Sequence, residues 1–135
     1  MLRFYQKGDL ERINRQDEQL LEGNGEFIKS DNTFVIEEDG KVMVIGCPIF
    51  MDNGCYLASL ISRDCGYKST KLIRIGKKIL NMLLEDNDFV EITTQVGWLN
   101  AERLARLLGF TPIRLEKEMY NGIDFNVWRK EKCPA

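Results

Sequence analysis

Residues 88–110, with the sequence DFVEITTQVGWLNAERLARLLGF, decide the fold because one strand pattern runs directly into one helix pattern. The first nine residues are β-branched, aromatic and largely alternating, which predicts a strand. In the second part Leu104 and Leu108 lie one helical turn apart, Asn100 is expected to be the N-cap, and Gly109 is expected to end the helix in the C′ position. A strand followed directly by a helix is typical of a mixed sheet with helices packed on it.

The same two kinds of pattern extend outward through the rest of the chain. Strands are predicted at 2–6, 33–38, 41–50, 55–62, 111–119 and 123–130, and helices at 9–23 and 70–85. The last turns of the first helix are polar, so a break into a second short helix is an open alternative there. Asp9 is expected to cap the first helix, and Asp39-Gly40 and Asn121-Gly122 predict two-residue hairpin turns. The element order β-α-β-β-β-α-β-α-β-β contains no repeat or linker. It predicts one α/β (α+β) domain over 1–135, with a mixed, mostly antiparallel sheet and helices on both faces.

The composition of the chain indicates which kinds of partner, such as nucleic acid or membrane, are to be expected. The chain has 135 residues, of which 44% are hydrophobic and 30% charged, and its formal net charge is −2. Such a balance is ordinary for a globular domain with a real core, and the net charge gives no drive toward nucleic acid. No apolar stretch reaches the length of a membrane span, and residues 1–12 lack the apolar region of a secretory signal. These features predict a cytoplasmic protein with no membrane or specific nucleic-acid partner.

Cysteine and histidine usage limits the chemistry. The chain has four cysteines, none in a C-x-x-C pair, and no histidine. A structural zinc site would need all four cysteines at spacings unlike those of the usual zinc knuckles, so no metal site is predicted. Without histidine, Ser-His and Cys-His nucleophile systems are excluded, and so is the commonest general base.

The element order and three local motifs together resemble the GNAT superfamily of acetyl-CoA-dependent N-acyltransferases over nearly the whole chain. Each motif is weak alone, and their order and spacing carry the resemblance. The motifs are Arg3 with Asp9-Leu10 in the opening strand and helix, Gly76–Leu80 (GKKIL) after the family's pyrophosphate loop, and Ala101–Phe110 (AERLARLLGF), which ends in the Leu-Gly-Phe signature.

This resemblance implies an enzyme that transfers an acyl group from acetyl-CoA to an amine. Two central strands would splay apart, and backbone groups at Leu60, Ile61 and Ser62 would bond the pantetheine arm as another strand does. The start of the helix at 70–85 would hold the pyrophosphate through backbone amides and basic side chains. The residues expected to bind cofactor there are Lys71, Arg74, Gly76 and Lys77. An adjacent amide would stabilise the oxyanion that forms when the amine attacks.

The chain departs from the family pattern at two places. Arg74 stands where the phosphate loop has its middle glycine, and either its fork reaches around to the phosphate or it is a solvated basic side chain. Trp98 and Ala105 stand where the family has asparagine and the tyrosine that protonates the leaving thiolate. The candidate general bases are therefore Glu91, Glu37 or Glu38, and the candidate acids are Tyr120, Tyr56 or Tyr67. We assign Glu91 and Tyr120 as the expected catalytic pair.

These departures leave alternatives open. The chain's length and altered loop also resemble short GNAT-like proteins of tailed phages, which would place an eroded, purely binding protein in the host cytoplasm or the virion. A third alternative is a small regulatory protein that docks on a protein partner through Trp98 and Trp128. A homodimer through the hairpin at 111–130 is a further possibility. Coenzyme A binding requires the amides of 70–76 to converge on one point, whereas docking requires an exposed apolar patch that contains Trp98.

Overall fold

A computed structural model describes residues 1–20, 32–65 and 70–133 of the chain. Its elements in chain order are β1 (Leu2–Phe4), α1 (Asp9–Arg12), α2 (Asp17–Leu20), β2 (Phe34–Glu38), β3 (Lys41–Phe50), β4 (Gly54–Ile61), α3 (Thr70–Asp86), β5 (Phe89–Gln95), α4 (Leu99–Leu107), β6 (Thr111–Tyr120) and β7 (Ile123–Glu131). The predicted fold class is confirmed, because these elements form a mixed, mostly antiparallel sheet with helices.

The sheet contains seven strands in the order β1-β2-β3-β4-β5-β7-β6. β4 and β5 pair in parallel, whereas β1 with β2, β2 with β3, β5 with β7 and β6 with β7 pair antiparallel. Both predicted hairpin turns are present, since Asp39 and Gly40 have φ of 50° and 74° and Asn121 and Gly122 have φ of 50° and 73°. Positive φ at both central positions is what a two-residue turn of this type requires.

The chain groups into two compact units. Unit 1 comprises Met1–Pro48 and Leu57–Gly66, and unit 2 comprises Ile49–Tyr56 and Tyr67–Ala135, so β4 contributes to both. The apolar core of unit 1 is a cluster of five buried side chains: Ile13, Val35, Val42, Ile45 and Leu60.

Asp9 does not cap the first helix, contrary to the sequence-based expectation. Gly8 is the N-cap of α1, with φ of 98°, and the Leu10 N–H in the first turn donates to the Tyr5 hydroxyl at 3.3 Å. The carboxylate of Asp9 instead accepts hydrogen bonds from both terminal nitrogens of Arg3, at 2.8 and 2.9 Å, and from the Gln6 N–H at 2.7 Å. A buried carboxylate favours a guanidinium over helix amides where both are in reach, because the charged pair bonds more strongly.

The predicted helix at 9–23 is broken. Its first part ends at Arg12, and Ile13 takes an extended conformation with ψ of 132°. Arg15 then makes an antiparallel bridge to Ser62, just beyond the end of β4. The chain therefore leaves the helix to pair with a strand, and the predicted end of the helix near Gly23 lies outside the described residues.

Unit 2 packs α4 against the sheet through buried and half-buried side chains. Trp128 is fully buried on β7, donates its indole N–H to the Thr94 hydroxyl at 2.9 Å, and lies under the Arg106 guanidinium. Trp128 is thus a core residue, so the docking alternative, which needs this side chain exposed, finds no support at this position. Asn100 is not the N-cap of α4 either, since Trp98 occupies that position without a side-chain bond.

The end of α4 follows the prediction. Gly109 has φ of 94°, and its N–H bonds the Arg106 carbonyl at 3.0 Å, as a glycine does when it ends a helix in the left-handed conformation. Within the described residues, every helix is too short or too polar to cross a membrane.

Candidate functional site

The residues predicted to bind cofactor fall in two places, the end of β4 in unit 1 and the first turns of α3 in unit 2. At the end of β4, Leu60 and Ser62 are buried and Ile61 is half-buried. The Ser62 N–H donates to the Met43 carbonyl on β3 at 2.8 Å. Because backbone groups alternate in direction along a strand, those of Ser59 and Ile61 point to the opposite edge.

That edge of β4 is bonded by a side-chain amide. Gln19 donates its Nε2–H to the Ser59 carbonyl at 3.0 Å and accepts the Ile61 N–H on its Oε1 at 2.9 Å. A residue of a parallel strand makes the same pair of bonds, one to residue i and one to residue i+2 of its neighbour. The carboxamide of Gln19 therefore stands where one residue of an added strand would stand.

Further contacts hold the segment 14–19 on β4 and the residues that follow it. Gln16 donates its side-chain N–H to the Ile61 carbonyl at 2.9 Å. The Arg63 N–H bonds the Asn14 carbonyl at 2.8 Å, and the Arg63 guanidinium bonds both the Arg15 carbonyl and the Asp17 carboxylate. The relative exposures of Gln16 and Gln19 are only 7% and 4%, so these amides belong to the interior of unit 1.

At the start of α3, the predicted phosphate loop is helical. Residues 70–76 belong to one helix that begins at Thr70, so the amides of Arg74 and Gly76 bond carbonyls one turn earlier. The amides of 70–76 therefore do not converge on one point, so the condition expected for coenzyme A binding through this loop is not met, and a diphosphate here would have to be held by the basic side chains. Lys71, Arg74 and Lys77 are exposed on this helix.

Gly76 has a packing role in the structure. A β-carbon built on it would lie 3.0 Å from Cδ2 of Leu108, at the end of α4. Glycine at this position lets α3 approach the end of α4 closely. The surviving glycine of the motif is explained by this contact, and its role in cofactor binding stays a prediction.

Glu91 is buried and ion-paired. Arg129, its antiparallel partner on β7, binds its Oε2 through two nitrogens at 2.5 and 2.9 Å, and Arg114 approaches its Oε1 at 3.6 Å. The Arg129 guanidinium also lies over the Phe89 ring, 4.0 Å from its centroid. The two guanidinium groups therefore lie against both carboxylate oxygens of Glu91, and a substrate amine would have to displace one of them to reach the carboxylate.

Glu37, a second candidate base, is also ion-paired with arginine. Glu37 bonds Arg12 at 2.8 Å and Arg3 at 3.4 Å, and these guanidinium contacts, that of Arg12 foremost, lower the pKa of Glu37. Hydrogen bonding to Arg3 likewise lowers the pKa of Asp9.

Tyr120 and Glu91 are not brought together. Tyr120 is exposed at the end of β6 and pairs with Ile123, whereas Glu91 pairs with Arg129. These two partners lie six positions apart on β7, which corresponds to about 20 Å along an extended strand. One substrate cannot contact both groups at the moment of transfer.

Tyr56 is the tyrosine that the structure places on a central strand. The parallel ladder joins Gly54–Tyr56 to Phe89–Glu91, and the Tyr56 hydroxyl lies 2.7 Å from the Thr93 hydroxyl on β5. Ala105, at the tyrosine position of the family, is buried. Tyr67 lies outside the described residues.

Solved acetyltransferase structures are similar to this chain over almost its whole length. Ard1 from Thermoplasma volcanium has a TM-score of 0.79 and 11% identity, and the match covers 99% of this chain and 98% of that one. A GNAT-family acetyltransferase from Bacillus cereus has a TM-score of 0.70 and 13% identity, over 99% and 98% of the two chains. Spermidine N-acetyltransferase from Vibrio cholerae, in complex with CoA and spermine, has a TM-score of 0.70 and 15% identity, over 98% and 95%.

These likenesses show that the chain has the GNAT acetyltransferase fold. No protein-family model matches the sequence, and no curated protein matches it.

Proposed function

We propose that the chain is an acyl-CoA-dependent N-acyltransferase, which transfers the acyl group of a coenzyme A thioester to an amine. The observation that carries the proposal is the edge of β4 at Ser59 and Ile61, which binds a carboxamide as a parallel strand would. The pantetheine arm of coenzyme A contains amides of the same kind, so the residues present fit the group. Support also comes from the full-length likeness to acetyltransferases, one of them in complex with CoA and spermine.

Each unit contains residues suited to one part of the cofactor. The backbone of Ser59 and Ile61 would bond an amide of the arm, while the buried side chains of Leu60 and Ser62 keep this part of the chain fixed. The first turn of α3 contains no acidic residue, and the basic side chains of Lys71 and Arg74 would attract the diphosphate. Lys77, one turn further, adds positive charge on the same helix. When bound, the thioester supplies the activated acyl group.

For proton transfer, the structure favours Tyr56 over Tyr120. The hydrogen bond with Thr93 fixes the Tyr56 hydroxyl, and that residue lies on a central strand, whereas Tyr120 lies at a hairpin end. We assign Tyr56 as the candidate donor to the leaving thiolate. Glu91 keeps its place as candidate base only if a substrate amine displaces Arg129 from it.

Calorimetric titration of coenzyme A and acetyl-CoA into the protein tests the proposal. We expect micromolar dissociation constants, or about −8 kcal/mol. Arg74→Glu should weaken binding at least about tenfold, because one unfavourable charge contact with the diphosphate costs about 1.4 kcal/mol or more. Arg103→Glu makes the same charge reversal on an exposed position of α4 and should bind like wild type. No heat at millimolar ligand would rule out the proposed function.

A second candidate function is binding without catalysis on the same fold. It is favoured by the buried Ala105 at the tyrosine position and by the ion pairing of Glu91. An eroded phage protein or a protein that docks on a partner would both fit it. An assay can distinguish the two functions. It measures release of the coenzyme A thiol from acetyl-CoA in the presence of polyamines or of peptides with free amino termini. Binding of the cofactor with no acceptor-dependent thiol release would support the second function.

A further inference from the structure

The end of β4 contains a built amide-binding position that is filled by the chain itself. The carboxamide of Gln19 makes one donor and one acceptor bond to β4, and Gln16 adds a third bond to the same edge. Neither glutamine belongs to the apolar core of unit 1, yet both are more than nine-tenths buried. Burial of two polar side chains is compatible with folding only because the strand edge satisfies them.

We infer that Gln19 is an internal competitor of the acyl-CoA cofactor, whose carboxamide holds the strand-edge position of a pantetheine amide until the thioester displaces it. The inference rests on the proposed function, because it assumes that the arm pairs with β4. One edge position at Ser59 and Ile61 has one outward N–H and one outward carbonyl, and it cannot bond two amides at once. Binding of the arm and binding of Gln19 are therefore mutually exclusive.

The segment that contains Gln19 is built to be released in part. The side-chain amides of Gln16 and Gln19 bond backbone atoms of β4, and another amide could make the same bonds. The Gln19 carbonyl is held within the segment, since it accepts from Arg15 at 3.3 Å. The first contacts of the segment, from Arg63 to Asn14, Arg15 and Asp17, lie beyond the strand and do not involve Ser59 or Ile61. The thioester can therefore replace Gln19 while Arg63 keeps the start of the segment in place.

An internal competitor lowers the apparent affinity of its ligand by the fraction of molecules in which the edge is open. Gln19→Ala removes both bonds of the carboxamide, and each net hydrogen bond corresponds to a factor of about five in a dissociation constant. Because two bonds are removed, we expect Gln19→Ala to bind coenzyme A about 25-fold more tightly than wild type. Gln6→Ala, the same change at an exposed glutamine, should leave affinity unchanged.

The two halves of the cofactor make the test specific. Gln19→Ala should tighten the binding of pantetheine and leave that of adenosine bisphosphate, the nucleotide half, unchanged. Arg74→Glu should weaken the binding of adenosine bisphosphate and leave that of pantetheine unchanged. If Gln19→Ala destabilises the fold, Gln19→Met keeps the length of the side chain without its amide and should give the same tightening.

A measurement on the wild-type protein needs no variant. In NMR spectra, saturating coenzyme A should shift the side-chain amide signals of Gln19 and leave the Ile61 amide protected from exchange, since one acceptor replaces another. Equal affinity in all variants with unmoved Gln19 signals would overturn the inference and leave the proposed function standing. No binding by wild type, Gln19→Ala or Gln19→Met would overturn both, because opening the edge would then admit no cofactor.

Discussion

Units 1 and 2 fix their chain segments by different means. In unit 1, buried polar side chains hold helices and turns in place, as Asp9 does with Arg3 and as Gln19 does with the edge of β4. In unit 2, one buried ion pair, that of Glu91 with Arg129, acts beside apolar contacts and one small residue, as Trp128 does in the core and Gly76 does against Leu108. The polar groups of unit 1 are thus committed to one another, whereas the basic side chains at the start of α3 in unit 2 are exposed.

The difference has a functional consequence. A ligand that binds at the edge of β4 must exchange bonds with groups that the chain already uses, so its net gain there is small. A ligand that binds at the start of α3 meets exposed cations, and gains attraction that falls with salt. We therefore expect the nucleotide half of the cofactor to supply most of the affinity and the arm to supply selectivity.

The largest effect on stability is expected from Asp9→Asn. Its carboxylate is 2% exposed and bonds both Arg3 and the Gln6 N–H, so the variant leaves a half-buried arginine without its main partner. Breaking a buried ion pair from one side costs about 3–5 kcal/mol. Chemical denaturation should show that the free energy of unfolding falls by about 3 kcal/mol. A fall of less than about 0.5 kcal/mol would contradict the statement that buried polar side chains hold the segments of unit 1 in place.

Acid titration offers a control for this variant. Arg3 lowers the pKa of Asp9 and Arg12 lowers that of Glu37, so both carboxylates stabilise the fold fully above their unfolded values of about 4. That stability is lost as the pH falls through the lower values of the folded protein. Asp9→Asn should lose less stability than wild type in the acid range, because one of the two groups no longer takes up a proton.

A smaller effect is expected in unit 2 from Gly76→Leu. The new side chain would meet Leu108, whose Cδ2 lies only 3.0 Å from the position that a β-carbon on residue 76 would occupy. Overpacking of this kind costs about 1–3 kcal/mol. Gly76→Ala is the matched control. Its better helix propensity, about 1 kcal/mol, should offset the tight contact and leave stability nearly unchanged. Equal stability of the Leu and Ala variants would show that α3 does not depend on this contact.

Much of the fold could be predicted from local sequence. The alternation in β5, the leucine spacing in α3 and α4, and the Asp39-Gly40 and Asn121-Gly122 turns each specify an element over a few neighbouring residues. Their order alone was enough to indicate the sheet class. The break in the helix at 9–23 was only an open alternative in the sequence, and its position could not be predicted because it depends on Arg15 pairing with Ser62, far along the chain.

The candidate site was less predictable because its contacts also join residues that are far apart in the sequence. Gln16 and Gln19 bond residues more than 40 positions away, and nothing in the spacing of two glutamines indicates an amide-binding edge. Likewise, Glu91 on an alternating strand looks like any surface carboxylate, and only the register of β5 with β7 reveals Arg129 beside it. Motif positions such as Arg74 and Gly76 could be located from sequence, but their helical conformation and packing could not.

The smallest effect, and the sharpest internal comparison, comes from a second aspartate–arginine pair in unit 1. Asp17 bonds Arg63 at 2.7 Å, a distance like that of Asp9 and Arg3, but its side chain is 84% exposed. Exposed ion pairs contribute about 0–1 kcal/mol, because water screens the charges and both side chains lose freedom in pairing. Asp17→Asn should therefore change the free energy of unfolding by at most about 0.5 kcal/mol, and the change should vanish in molar salt. Since Asp9→Asn makes the same chemical change at a similar distance, the difference between the two variants measures burial together with the additional bonds of Asp9 to Arg3 and Gln6. If both variants lose the same free energy of unfolding, the segment 14–19 depends on the exposed ion pair of Asp17 with Arg63. Release of the segment from β4 would then require that this pair dissociates as well.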